Sequence, residues 1–385
     1  MQAINTCQSH KKLFNVAPIN ALRIAVIVPV KNEAEGLVRT LNALRMQKDQ
    51  AGLPLQPSIY EVLLLANNCT DNTFEIARQY QVRYPDFKLY IADIDLPKAD
   101  AHIGMVRRLM MDEAYDRFMV IGQPKGIIVS TDGDSEVDTH WIHYILMEMD
   151  KGNDVVGGRI LPRDTPPLSK MHHLRDVSYR YHLSRLESLL DPSHFDPWPR
   201  HFQCYGPSLA VTCDIYHKAG RIPVIPYLED EEFRKALYRI DAKVRKSPLV
   251  KVYTSARLQG KVTFGFSVQL QQWGHMTLEN QQQQVEPLTA LIRKNKIKNQ
   301  LRQLWQNKNS VFAFKNDFKE ISKSLMVDPL WLYSRVNECA YFGELWELIE
   351  KELETGRWRE THALEPISQV ISHFRQFFSG AQQAS

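Results

Sequence analysis

Up to about residue 255, short apolar runs alternate with amphipathic stretches. Arg23 to Val28 (RIAVIV) is apolar and β-branched, and reads as a strand stopped by Pro29. KNEAEGLVRTLNALRMQ follows, with Leu37, Leu41 and Leu44 at helical spacing and Asn32 as the expected N-cap. The pattern repeats: a strand at Tyr60–Leu65, a polar turn ANNCTDN and a helix from Thr73. It repeats again with a strand at Phe87–Ile91 and a helix over Ala101–Phe118. Ile127–Ser130 is a fourth buried strand, followed by STDGDSEVD and the helical WIHYILMEM. Strands alternating with helices predict an α/β domain with a parallel sheet covered on both faces.

Beyond Asp154 the pattern loosens. DVVGGRI, GPSLAVTC and Val250–Ser255 read as strands, Leu168–Leu190 as a long helix, and the proline-rich Asp191–His201 as irregular. AGRIPVIPYLEDEEFRKAL runs from a loop into a helix near Glu229, and from Thr277 onward the chain is mostly helical. The expected division is a leader over 1–20, an α/β domain over 21–275 and a helical region over 276–385.

Composition narrows the function classes. The chain has 385 residues, 44% of them hydrophobic, enough for a sizeable core. With 48 Lys and Arg against 44 Asp and Glu, the net charge of +4 does not suggest a nucleic-acid partner. Cys7, Cys69, Cys204, Cys213 and Cys339 are odd in number and lack CxxC spacing, so free thiols in a reducing compartment are expected. No apolar run reaches the length of a membrane span and the opening residues lack an apolar signal core, so a soluble, cytoplasmic protein is expected.

The chemistry concentrates where strands end. Asp132 and Asp134 follow the Ile127–Ser130 strand, and ligands of open α/β sheets bind at carboxyl ends of strands. Two carboxylates there suit Mg²⁺ or Mn²⁺ shared with a diphosphate; the plainer reading is a polar turn with Asp138 capping the next helix.

IVPVKNEAEGLVRTLNAL, LLLANNCTDNT, STDGDSEVD and YLEDEEFRKAL occur in the order found in family-2 glycosyltransferases of the GT-A fold, which residues 22–275 resemble. The resemblance implies a GT-A (Rossmann-like) mixed, mainly parallel sheet flanked by helices. It further implies sugar transfer from a nucleotide-sugar donor to a small-molecule or glycan acceptor with a divalent cation, and inversion as the expected outcome. Pro29, Lys31 and Glu33 would line the nucleoside loop. Asn67 stands where relatives carry an acid that contacts the base, which weakens a uracil assignment. Lys98 and Arg107 would approach the diphosphate, and Arg257 and Lys261 would close over it. Asp132 and Asp134 would hold the cation, with His275 as a third ligand. Asp230 would be the general base and Glu229 its helper, and Trp198 and His201 would line the acceptor pocket. QLQQW, Gln269–Trp273, resembles the Gln-x-x-Arg-Trp motif of processive synthases, but Gln272 replaces the arginine. A non-catalytic nucleotide-sugar binder and a sugar-phosphate nucleotidylyltransferase are the alternatives; the second would need glycines that PVKNEAEG lacks. The helical region is left with three roles: covering the cleft, forming a homo-oligomer, or packing on the sheet.

Overall fold

The computed structural model describes residues 12–257, 265–307 and 314–383. Eight strands form one sheet: β1 (Ile24–Val30), β2 (Tyr60–Asn67), β3 (Leu89–Ile94), β4 (Ile127–Ser130), β5 (Glu136–Val137), β6 (Val155–Arg163), β7 (Leu209–Thr212) and β8 (Val244–Ser255), in the order β3-β2-β1-β4-β7-β6-β8-β5. Strands β3, β2, β1 and β4 are mutually parallel. β7 then runs antiparallel between β4 and β6, and β5 antiparallel on β8. The sheet is therefore mixed and mainly parallel, rather than wholly parallel as the alternation alone suggests.

Helices cover both faces. They are α1 (Leu37–Arg45), α2 (Thr73–Arg83), α3 (Ile103–Val120), α4 (Trp141–Met149), α5 (Pro167–Leu190), α6 (Cys213–Lys218) and α7 (Glu229–Arg239). Every residue of β1 is buried. Ile24, Val26 and Val28 pack toward α1 and α4, whereas Ala25 and Ile27 pack toward α3 and α7. Burial on both faces is why these strands read as continuous apolar runs.

Pro29 does not stop β1; it lies within it. Ile24 N bonds on the β2 side and the carbonyl of Ile27 on the β4 side, so odd-numbered residues of β1 face β4. The β4 register ends opposite Ile27, at Ser130, so the missing N–H of Pro29 removes no ladder bond. Asn32 is likewise not an N-cap, since the first helix begins at Leu37. Instead Asn32 adopts a left-handed conformation (φ 53°) and its Oδ1 accepts from Thr70 N at 2.7 Å.

The C-terminal part comprises α8 (Phe266–Leu278), α9 (Leu288–Gln306), α10 (Phe314–Leu325), α11 (Pro329–Glu338), α12 (Phe342–Thr355), α13 (Arg357–Thr361) and α14 (Ile367–Gln383). Helices α9 to α13 build a core of their own. Arg302 from α9 forks onto Asp191 at 3.0 and 2.7 Å, and α14 packs on α5. Helix α12 seats on the end of α7: Arg239 pairs with Glu347, and Asp241 accepts from Phe342 N and Gly343 N at 2.8 Å each. The helical region thus packs on helices α5 and α7 of the α/β domain. No described helix is long and apolar enough to cross a membrane. Cys69, Cys204, Cys213 and Cys339 are free thiols; Cys7 lies outside the described residues.

A Cβ at Gly343 would fall 1.7 Å from the Tyr238 carbonyl oxygen, so α12 approaches α7 only through glycine. Gly343→Ala is expected to lower unfolding stability by about 1–3 kcal/mol. Gly274→Ala, whose Cβ would meet ordinary contacts at 3.6 Å in α8, is expected to be neutral or stabilising by up to about 1 kcal/mol. Urea titrations of both variants check this, and equal stabilities would show that the close approach is dispensable.

Candidate active site

Three segments converge at the carboxyl ends of β1 and β4. The loop after β1 is sewn to the loop after β2: Glu33 N donates to Thr73 Oγ1 at 2.8 Å, and Ala34 N to Asp71 Oδ2 at 3.2 Å. This fixes the backbone that carries Glu33. The turn after β4 carries Asp132 and Asp134, and Thr40 from α1 donates to the Gly133 carbonyl at 2.9 Å. The third segment is the first turn of α7. Its acidic run divides in two. Glu231 and Glu232 pair outward with Arg234 and Lys235, each at 2.6 Å, whereas Glu229 is buried against Arg107. Asp230 Oδ2 accepts from Gly206 N and Oδ1 from Glu231 N, both at 2.8 Å.

Two arginines hold these carboxylates. Arg107 from α3 is 4% exposed; its Nη1 bonds Glu229 and its Nη2 bonds Asp132 Oδ1 at 2.7 Å. Arg257, just after β8, forks onto Glu33 at 2.9 and 3.2 Å and reaches Asp134 Oδ2 at 3.1 Å. Burial alone would lower the pKa of Arg107; Glu229, Asp132 and Asp230 outweigh it, so the guanidinium is held charged. Its partners move the other way from ordinary carboxylates. Burial pushes both Asp132 and Glu229 up, Arg107 pulls each down, and the neighbouring Asp230 pushes each up again, because three acids share one cation. The hydrogen bonds that Arg257 donates to Glu33 raise its pKa, in the same sense as its acid neighbours Asp134 and Asp132 do.

Residues 25–204 match the family described as Glycosyl transferase family 2. This stretch is a family-2 glycosyltransferase domain. The chain is also similar to the glycosyltransferase AglE of Haloferax volcanii, with 31% identity over 139 residues, 36% of this chain and 39% of that relative. The match thus spans about two-fifths of AglE. Among solved structures, S. aureus TarS 1–349 with UDP shows 14% identity, 86% coverage of this chain and 91% of that one, and a TM-score of 0.44. The mannosyltransferase PcManGT from Pyrobaculum calidifontis, with GDP-Man and Mn²⁺, shows 14% identity, 94% and 88% coverage, and a TM-score of 0.42.

Around this family-2 domain the other expected residues are spread unevenly. Pro29 is buried in β1, Lys31 is half-buried in the loop beyond it, and Asn67 is buried at the end of β2. Lys98 is exposed in the turn before α3. His275 is exposed on α8, and among the described residues no three His, Cys, Asp or Glu stand together to hold a metal. Lys261 lies outside the described residues. Trp198 is exposed beside Tyr181, with ring centroids 5.3 Å apart, and Arg185. His201 is buried, accepting from Gln203 N at 3.0 Å while its Nε2 lies 3.0 Å from the Ser247 carbonyl. That environment is packing, not a pocket wall. The contact unforeseen from sequence is Gly206, whose N–H holds Asp230; nothing in GPSLAVTC signals it.

Burial, reinforced by Lys246, pushes His201 from 6.5 to about 3. Protonation therefore favours the unfolded chain: the stabilisation is complete above about pH 6.5 and is lost as pH falls toward 3. Between pH 6.5 and 5.5 the wild type is expected to lose about 1 kcal/mol more unfolding free energy than His201→Gln. Denaturant titrations at the two pH values measure the difference, and parallel losses would contradict the assignment.

Proposed function

We propose that the chain transfers a sugar from a nucleoside-diphosphate sugar to an acceptor hydroxyl, with inversion at the anomeric carbon. The observation that carries this reading is the meeting of Glu33, Asp132 and Asp134, from the family-2 stretch, with Glu229 and Asp230, from beyond it, around Arg107 and Arg257. Glu33, on the sewn loop, faces the nucleoside side. Asp230 takes the acceptor's hydroxyl proton as that oxygen bonds the anomeric carbon. The bond from that carbon to the diphosphate oxygen breaks, and its electron pair leaves with the nucleoside diphosphate. Both Asp230 oxygens are fixed by backbone N–H groups, which orients the carboxylate without using all its lone pairs.

Asp132 and Asp134 would hold a Mg²⁺ or Mn²⁺ ion. The donor set fits: these are hard oxygen ligands, and Asp134 already binds a cationic group, Arg257. The lack of a third clustered ligand among the described residues suits an ion that completes its shell with phosphate oxygens and water. When bound, the ion neutralises charge building on the diphosphate. Arg257 adds a bidentate-capable cation on the same side.

Release of nucleoside diphosphate from a nucleotide-sugar panel, with Mn²⁺, Mg²⁺ or chelator, tests the reading. Asp134→Asn and Asp230→Asn are each expected to lose about 100-fold or more in turnover. Product of retained configuration would overturn the inverting assignment. Full turnover by both variants would overturn their assigned roles.

A further inference from the structure

We infer that Arg107 is a positioning residue that locks the donor-side and acceptor-side carboxylates to one another, and is not a contact for the diphosphate. The inference rests on the glycosyltransferase reading above. Lying on a helix before Asp132, Arg107 is a natural candidate to touch phosphate, but its surroundings leave a phosphate no access. The side chain is 4% exposed, and its Nε is buried without a hydrogen-bond partner. The backbone of Gly206 stands against the guanidinium, where a Cβ would lie 2.7 Å from Cζ, Nη1 and Nη2. One Nη is committed to Glu229 and the other to Asp132. The guanidinium thus fills the space between the end of β4 and the start of α7.

The consequence is geometric. Asp132 lies 97 residues before Glu229 in the chain, and Arg107 joins them directly. Gly206, pressed against the same guanidinium, donates its N–H to Asp230 at 2.8 Å. Asp132, Glu229 and Asp230 are therefore placed by one rigid planar group. A planar fork can hold two carboxylates at fixed separation; a lysine ammonium is a point charge on a flexible stem and cannot. Reactions of this kind lose about 100-fold when reacting groups are misplaced by an ångström.

Arg107→Lys therefore separates the roles. In steady-state assays of nucleoside diphosphate release, its turnover at saturating donor is expected to fall about 100-fold or more, while donor KM and UDP or GDP affinity stay within about threefold. Arg107→Met/Glu229→Gln removes a charge from each side of the pair, guards against a folding failure, and is expected to melt cooperatively yet remain inactive. Donor affinity weakened tenfold or more with turnover retained would overturn the inference in favour of a phosphate contact. A lower melting point with wild-type turnover in Arg107→Lys would overturn it in favour of a purely structural role. Wild type that releases nucleoside diphosphate from at least one donor rules out failure of the underlying reading; wild type that releases it from none sinks both.

Discussion

Three acids from two distant parts of the chain share one buried cation, and the site depends on that sharing. Without Arg107, Glu229 would be a buried carboxylate without a counter-ion, which is strongly destabilising, often by about 3–5 kcal/mol. With it, the end of β4 and the first turn of α7 are held at one distance. The sheet serves this arrangement. β4 delivers Asp132, β7 turns back beside it after the Gly206 segment, and α7 then crosses with its acidic turn inward. Even α12 contributes, because it braces the far end of α7 through Arg239 and Asp241.

The second arginine works under different physics. Arg257 is 37% exposed on a segment just past the end of β8, whereas Arg107 is sealed. Exposed ion pairs are weak and screened. Its contacts to Glu33 and Asp134 are therefore the more weakly held, while the pair of Arg107 with Glu229 is shielded from water.

Much of this was legible in the sequence because burial on both sheet faces writes uninterrupted apolar runs, as in RIAVIV and YEVLLL, and because polar groups placed just after such runs land at one edge. Glu33, Asp132 and Asp134 are candidates on that ground, and Glu229 and Asp230 through the order of the motifs. What escaped has physical reasons. β5 is two residues long, too short for any periodicity. The antiparallel direction of β7 leaves no mark in GPSLAVTC. Arg107 reads as a diphosphate contact in the sequence, because the acids that draw it inward lie 25 and 122 residues away. His201, expected to line the acceptor pocket, is instead satisfied in the core by Ser247 and Gln203, partners that its own segment does not reveal.

In the proposed function this carboxylate cluster is a cation-dependent site for a nucleoside diphosphate. Isothermal titration of UDP and of GDP into the protein, with Mn²⁺ and with chelator, tests it most directly. Binding of at least one of them in Mn²⁺, weakened about tenfold or more by chelator and by Asp134→Asn, is the predicted result. Binding of neither, or binding indifferent to both changes, would contradict the account.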